Sequence, residues 1–175
     1  MTAVAEPSAR HRRPVEVERR VPFPASAVRA LIAADPAGVL SALPGSGPDG
    51  GVPLGVRLVR NVRLQREVTV GFGPFIEEDD GTVILALWWE AAHQPWLFPT
   101  FDGGLEISAR GSGADLRLVG SYQLPLGQVG VFADEILGRR AARSSLEAFL
   151  AEIAATVTAR LRTTGPPSDH ATDPG

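Results

Sequence analysis

His93 is the one imidazole inside the patterned part of this sequence, because His11 and His170 fall in terminal stretches without apolar periodicity. An imidazole titrates near neutral pH and is the commonest general acid or base. Metal binding or triad chemistry also needs companions, and the chain contains no HExxH, no GxSxG and no carboxylate pair at helical spacing beside His93. The plainer reading is a loop histidine satisfied by solvent or backbone. Glu90 is a potential proton-shuttling partner, but strand parity turns it away from Leu87 and Trp89. Asp79 and Asp80 resemble a carboxylate pair and, with Gly81 after them, read better as turn formers.

Two further polar groups sit on apolar faces. Arg66 interrupts the alternation between Leu64 and Val68. Facing a cavity, it would hold a carboxylate or phosphate through paired hydrogen bonds; a local bulge would turn it to solvent instead. Tyr122 shares a face with Leu116 and Leu118 near the end of a strand, which suits either a core ring with its hydroxyl at the edge or a hydroxyl that orients a ligand. His93 and Tyr122 are thus the two weak catalytic candidates. Trp96, Phe98 and Phe101 lie in the stretch Ala92 to Gly104, which reads as a loop, where large apolar groups are unexpected. They tuck under the loop as a satellite core, form a lip over a pocket mouth, or meet a partner. The glycines from Gly127 to Gly130 suit an opposing gate. Gly71 to Pro74, GFGP, lacks the GKS/T continuation and a following helix, so a phosphate loop is rejected.

Composition excludes several classes. The chain has 175 residues and no cysteine, which removes disulfides, thiolate catalysis, iron–sulfur ligation and Cys-based zinc sites, and no cofactor or metal is expected. All 17 basic residues are arginine and the net charge is −3, which argues against a nucleic-acid partner. The opening MTAVAEPSARHRRP has no apolar run after its basic residues, and no later stretch is long enough to span a bilayer, so a cytoplasmic protein without stable membrane insertion is expected.

Positioning falls to the elements around these residues. Residues 1–13 and 163–175 read as disordered tails, leaving one folded domain over 14–162. Val15, Val17 and Val21 alternate with charged residues as a half-buried strand, with Arg19 as the exception on the apolar side. Pro24 suits a first helical position ahead of Val28, Leu31 and Ile32, and Asp35 caps a second short helix carrying Val39, Leu40 and Leu43. Pro44 to Pro53 reads as loop and Val56 to Ile76 as one extended run. Asp80-Gly81 marks a turn before a strand whose inner face is Val83, Leu85, Leu87 and Trp89. Strands at Leu105–Arg110 and Asp115–Leu124 complete a meander. The chain then builds a long helix from about Asp134 to Arg162, with Leu146, Phe149, Leu150, Ile153, Val157 and Leu161 along one side.

A flat sheet covered by one helix would leave the two early helices unpartnered, so the packing that accommodates all three bends the antiparallel sheet around the last helix. This order resembles the START-like (SRPBCC) ligand-binding superfamily over roughly Val15 to Arg162, carried by VEVERRVPFPASAVRALIA, VILALWWEA and GSYQLPLGQVGVFADEILGRRAARSSLEAFLAEIAATV. The resemblance implies an α+β helix-grip fold with a cavity for a small apolar molecule such as a lipid, quinone or polyketide. It carries no universal catalytic motif, so it implies a pocket rather than a reaction. Candidate ligand contacts are Arg66, Leu87, Trp89, Trp96, Phe101 and Tyr122. Two rival readings are an aromatase/cyclase-like enzyme, with His93 or Tyr122 as acid/base and Arg66 as orienter, and an interaction module whose exposed aromatics form a homodimer or dock on a partner.

Overall fold

In the computed structural model the described residues are 12–43, 46, 51–59, 62–91, 100–123 and 135–164; for 51–59, 62–67, 91, 135–139 and 141 the description is of backbone alone. The element order is β1 (Arg12–Val21), α1 (Ala25–Ala34), α2 (Pro36–Ser41), β2 (Gly51–Val59), β3 (Val62–Glu77), β4 (Val83–Ala91), β5 (Thr100–Arg110), β6 (Gly113–Gln123) and α3 (Glu135–Thr164). All strands join one antiparallel sheet in the order β1-β6-β5-β4-β3-β2. α3 packs chiefly against β1 and β2. Those are the two edges, so the sheet curls until both margins meet one helix. This is the helix-grip fold, in which the centre of the sheet stands off from the helix and only large side chains bridge the gap.

Local chemistry explains the early elements. Val17 and Val21 of β1 are buried, and Val15 packs against the core beside them. Arg19 shares their parity yet is exposed, its long stem carrying the charge to water from an edge strand. Asp35 caps α2 by accepting the Gly38 amide at 2.7 Å, while Val39, Leu40 and Leu43 are buried, as their spacing predicts. Pro24 is the N-cap of α1 rather than its first helical residue, and its carbonyl accepts from Ala27 and Val28. On α3, Leu146, Phe149, Leu150, Ile153 and Val157 are all buried, and Arg160 ties the helix to α2 through the Gly38 carbonyl at 2.7 Å.

Several boundaries differ from the sequence expectation. β1 begins at Arg12, pairing with Gln123, so Arg12 and Arg13 belong to the sheet, and α3 continues through Thr164. The run from Val56 to Ile76 is two strands, because Val59 pairs antiparallel with Val62. β2 also reaches back to Gly51 and takes in Pro53, which an edge strand tolerates because one side of its ladder lacks a neighbour. β5 starts at Thr100, so Phe101 to Gly104 are strand rather than loop. His93, Trp96, Phe98, the Gly127–Gly130 stretch and Asp134 lie outside the described residues.

The β3–β4 turn forms as its residues dictate. Gly81 adopts φ of +77°, its amide donates to Glu78, and the Asp80 carboxylate accepts the Thr82 amide at 2.8 Å. That hydrogen bond, aided by Arg29, holds the Asp80 pKa below the usual carboxylate value. A lowered folded pKa stabilises above the unfolded value of about 4 and is lost as pH falls through the folded one. Asp80→Asn should therefore remove part of the pH dependence of urea unfolding below about pH 4 and leave its slope near neutrality unchanged. In α3, Ile153→Ala should cost about 2–5 kcal/mol by the same measurement, with the m-value unaltered.

Candidate functional site

On the concave face the strand registers align side chains in rows. One row reads Tyr122, Phe101, Trp89 and Val70 across β6, β5, β4 and β3; the next reads Gly120, Gly103, Leu87 and Phe72; a third reads Leu118, Leu105, Leu85 and Phe75. Four of the six sequence candidates for ligand contact, Leu87, Trp89, Phe101 and Tyr122, thus fall in two adjacent rows. All four are at most 4% exposed. Arg66 occupies a β3 position in register with Leu54 of β2, with only its backbone described. Trp96 and His93 lie outside the described residues, so Tyr122 is the one catalytic candidate the structure places.

The rows meet α3 through an aromatic stack. Trp89 stacks on Phe101 with centroids 4.5 Å apart and meets Phe149 of α3 edge-on at 5.3 Å. Each such pair contributes about 0.5–1.5 kcal/mol beyond the area it buries. The indole Nε1 of Trp89 is buried and has no hydrogen-bond partner among the described residues. The row of Gly120 and Gly103 explains where the Phe101 ring goes. A Cβ on Gly103 would stand 2.3 Å from the Val119 carbonyl oxygen and 2.8 Å from the Phe101 ring, and one on Gly120 would stand 2.7 Å from the Gly103 Cα. The ring leans over two residues without side chains and fills the hollow they leave.

Packing is not uniform along the concave face. Val70, Phe72 and Phe75 of β3 contact the core yet stay only partly buried, whereas their partners on β4 are closed off. The apolar lining is therefore least covered on the β3 side. Strand parity places Gly120 beside Leu116, Leu118 and Tyr122 in the sequence, whereas Gly103 reads there as loop; the even spacing of Phe101, Gly103 and Leu105 is the signal that puts it in the strand.

Elsewhere the polar groups hold structure. The convex face carries ion pairs of Arg110 with Asp115 at 2.9 Å and with Glu18 at 3.0 Å, and of Arg117 with Glu106 at 3.2 Å. Asp115 hydrogen-bonds Arg110 and raises the guanidinium pKa further above its ordinary value. Arg29 donates from Nη2 to the carbonyls of Gly81 and Ile107, stitching α1 to the β3–β4 turn and β5. Beside it runs a groove of about 390 Å³ lined by Arg29, Ala30, Ala33, Phe75, Glu77 and Val83. Among the described residues no three potential metal ligands cluster, and no helix is long and apolar enough to cross a membrane. Among the described residues the exposed large apolar groups are Ile76 and Trp88, at 51% and 45%, both on the convex face.

No family model and no curated protein matches the chain. Solved structures of like fold do. The Zhui aromatase/cyclase from Streptomyces sp. R1128 is 14% identical with a TM-score of 0.50, covering 90% of this chain and 100% of that one. The di-domain ARO/CYC BexL from the BE-7585A biosynthetic pathway is 13% identical with a TM-score of 0.50, covering 89% of this chain and 51% of its own length. At these identities the likeness is one of fold, and it agrees with the START-like resemblance of the sequence.

The glycine pair gives a direct check on this geometry. Gly103→Ala should destabilise by about 1–3 kcal/mol, because its methyl meets backbone oxygen that cannot step aside. Gly81→Ala meets no neighbouring atom, so its cost should come from backbone strain alone and be of order 1 kcal/mol. Thermal unfolding of the two variants compares them.

Proposed function

We propose that the protein binds a small apolar molecule in the hollow between the concave sheet and α3. The observation that carries this reading is the stand-off at the centre of the sheet: α3 packs on the two edges, while the middle strands reach it through Trp89, Phe101 and Phe149. The half-covered Val70, Phe72 and Phe75 supply an apolar wall on which a guest gains favourable burial. A guest of any size displaces side chains that now fill the β4–β6 rows, Phe101 first, since its ring is held by stacking rather than by polar bonds. Candidate contacts are Leu87, Trp89, Phe101 and Tyr122, to which the sequence adds Arg66 and Trp96.

The reading is supported by two proteins of like fold, the Zhui aromatase/cyclase and the di-domain ARO/CYC BexL. Those same relatives favour one second reading, cyclisation or aromatisation of a polyketide-like substrate. That chemistry needs an acid or base in the hollow, a role open to Tyr122 and to His93.

Native mass spectrometry of protein purified from its own host should show a retained apolar adduct. Saturation at about a hundredfold excess over the dissociation constant should stabilise the fold by about 2.7 kcal/mol. A bare mass, together with no melting shift across lipids, quinones and polyketides, would contradict the proposal. The enzymatic reading predicts that Tyr122→Phe and His93→Ala together abolish turnover while ligand-induced stabilisation persists.

A further inference from the structure

Trp89 carries a polar atom that no described residue engages. The residue is 4% exposed, and its indole N–H is buried without a hydrogen-bond partner among the described residues. Arg29, Asp115 and Arg117 also have a buried unpartnered atom, but each engages neighbours through a hydrogen bond or ion pair: Arg29 with Gly81 and Ile107, Asp115 with Arg110, and Arg117 with Glu106 and Glu16. Tryptophan has one polar atom, a donor with no acceptor capacity. Its whole hydrogen-bonding capacity is therefore idle, at a cost phenylalanine would not incur in the same stack.

The location gives the idle donor a use. Trp89 stands in the row between Val70 and Phe101, on the face that looks toward Phe149 of α3. Resting on the proposal that this hollow takes an apolar guest, we infer that the Trp89 N–H selects among guests, by donating to a neutral acceptor oxygen on a fused-ring molecule. The oxygen is neutral because the surrounding row is apolar and an unpaired carboxylate would lose its hydration there without a cation in return. The guest is ring-shaped because the contacts it replaces or joins are the aromatic faces of Phe101 and Phe149. Trp89 is a specificity residue in this scheme and takes no part in bond-making.

The probes are fluorene and 9-fluorenone, tricyclic molecules of one outline that differ by a carbonyl in place of a methylene. Equilibrium dialysis against the full chain should give about tenfold tighter binding of fluorenone, the worth of one buried hydrogen bond formed by an otherwise idle donor. In ¹H–¹⁵N spectra the Trp89 indole resonance should move downfield with fluorenone and less with fluorene. Trp89→Phe should bring the affinity ratio to about one while fluorene binding changes by less than about threefold. If that variant does not fold, the wild-type ratio and the indole shift decide by themselves. Equal wild-type affinities with an unmoved indole resonance overturn the selective donor and leave the binding site standing, the N–H then being satisfied by the Phe149 ring or by water. Failure of both probes to bind overturns this inference alone, since the binding function is judged separately by the host adduct and the melting shifts with lipids, quinones and polyketides.

Discussion

Both edges of one sheet pack against one helix, and everything else about the molecule follows from that constraint. Strands β1 and β2 are far apart in the sheet order, yet each contacts α3, so the sheet must curve along its whole width. Curvature fixes the edges close to the helix and lifts the centre away. The gap is spanned where side chains are longest, through Trp89 between Phe101 and Phe149. The stack is thus the central tie between the middle of the sheet and the helix.

Stability and openness compete at that place. The inward glycines at 103 and 120 remove side chains from the deepest row, which by itself would leave a void, and the Phe101 ring swings over them to close it. An apolar void is costly, so the empty protein gains by filling it with its own ring. A ring held by stacking alone can be exchanged for another ring at little net cost. Under the proposed binding function that exchange would give a closed resting core and a ligand site the same set of residues, in keeping with the burial of Leu87, Trp89, Phe101 and Tyr122.

Much of the fold was legible because its elements are strictly periodic. The valines of β1, the apolar face of β4 and the α3 stripe each repeat with their own period, and Asp35 and Asp80-Gly81 announce a cap and a turn by side-chain chemistry. The site was less legible. Phe101 looked like a loop aromatic because Asp102, Gly103 and Gly104 follow it, and only the paired register with β6 shows that those glycines serve close packing within a sheet. The β2–β3 reversal was hidden for the opposite reason: the alternation continues on both sides of the turn, so a hairpin of two strands reads as one long strand. The idle indole N–H could not be foreseen at all, since it depends on what fails to come near Trp89 in three dimensions.

Isotope-filtered NOE spectroscopy, with unlabelled fluorene added to ¹³C,¹⁵N-labelled protein, tests the central claim most directly by locating the guest. Occupation of the hollow predicts transfer from fluorene protons to the methyls of Val70, Leu87 and Ile153 and to the Phe149 ring. Transfer confined to Ile76, Ile84 and Trp88 would put the molecule on the convex face and contradict the account.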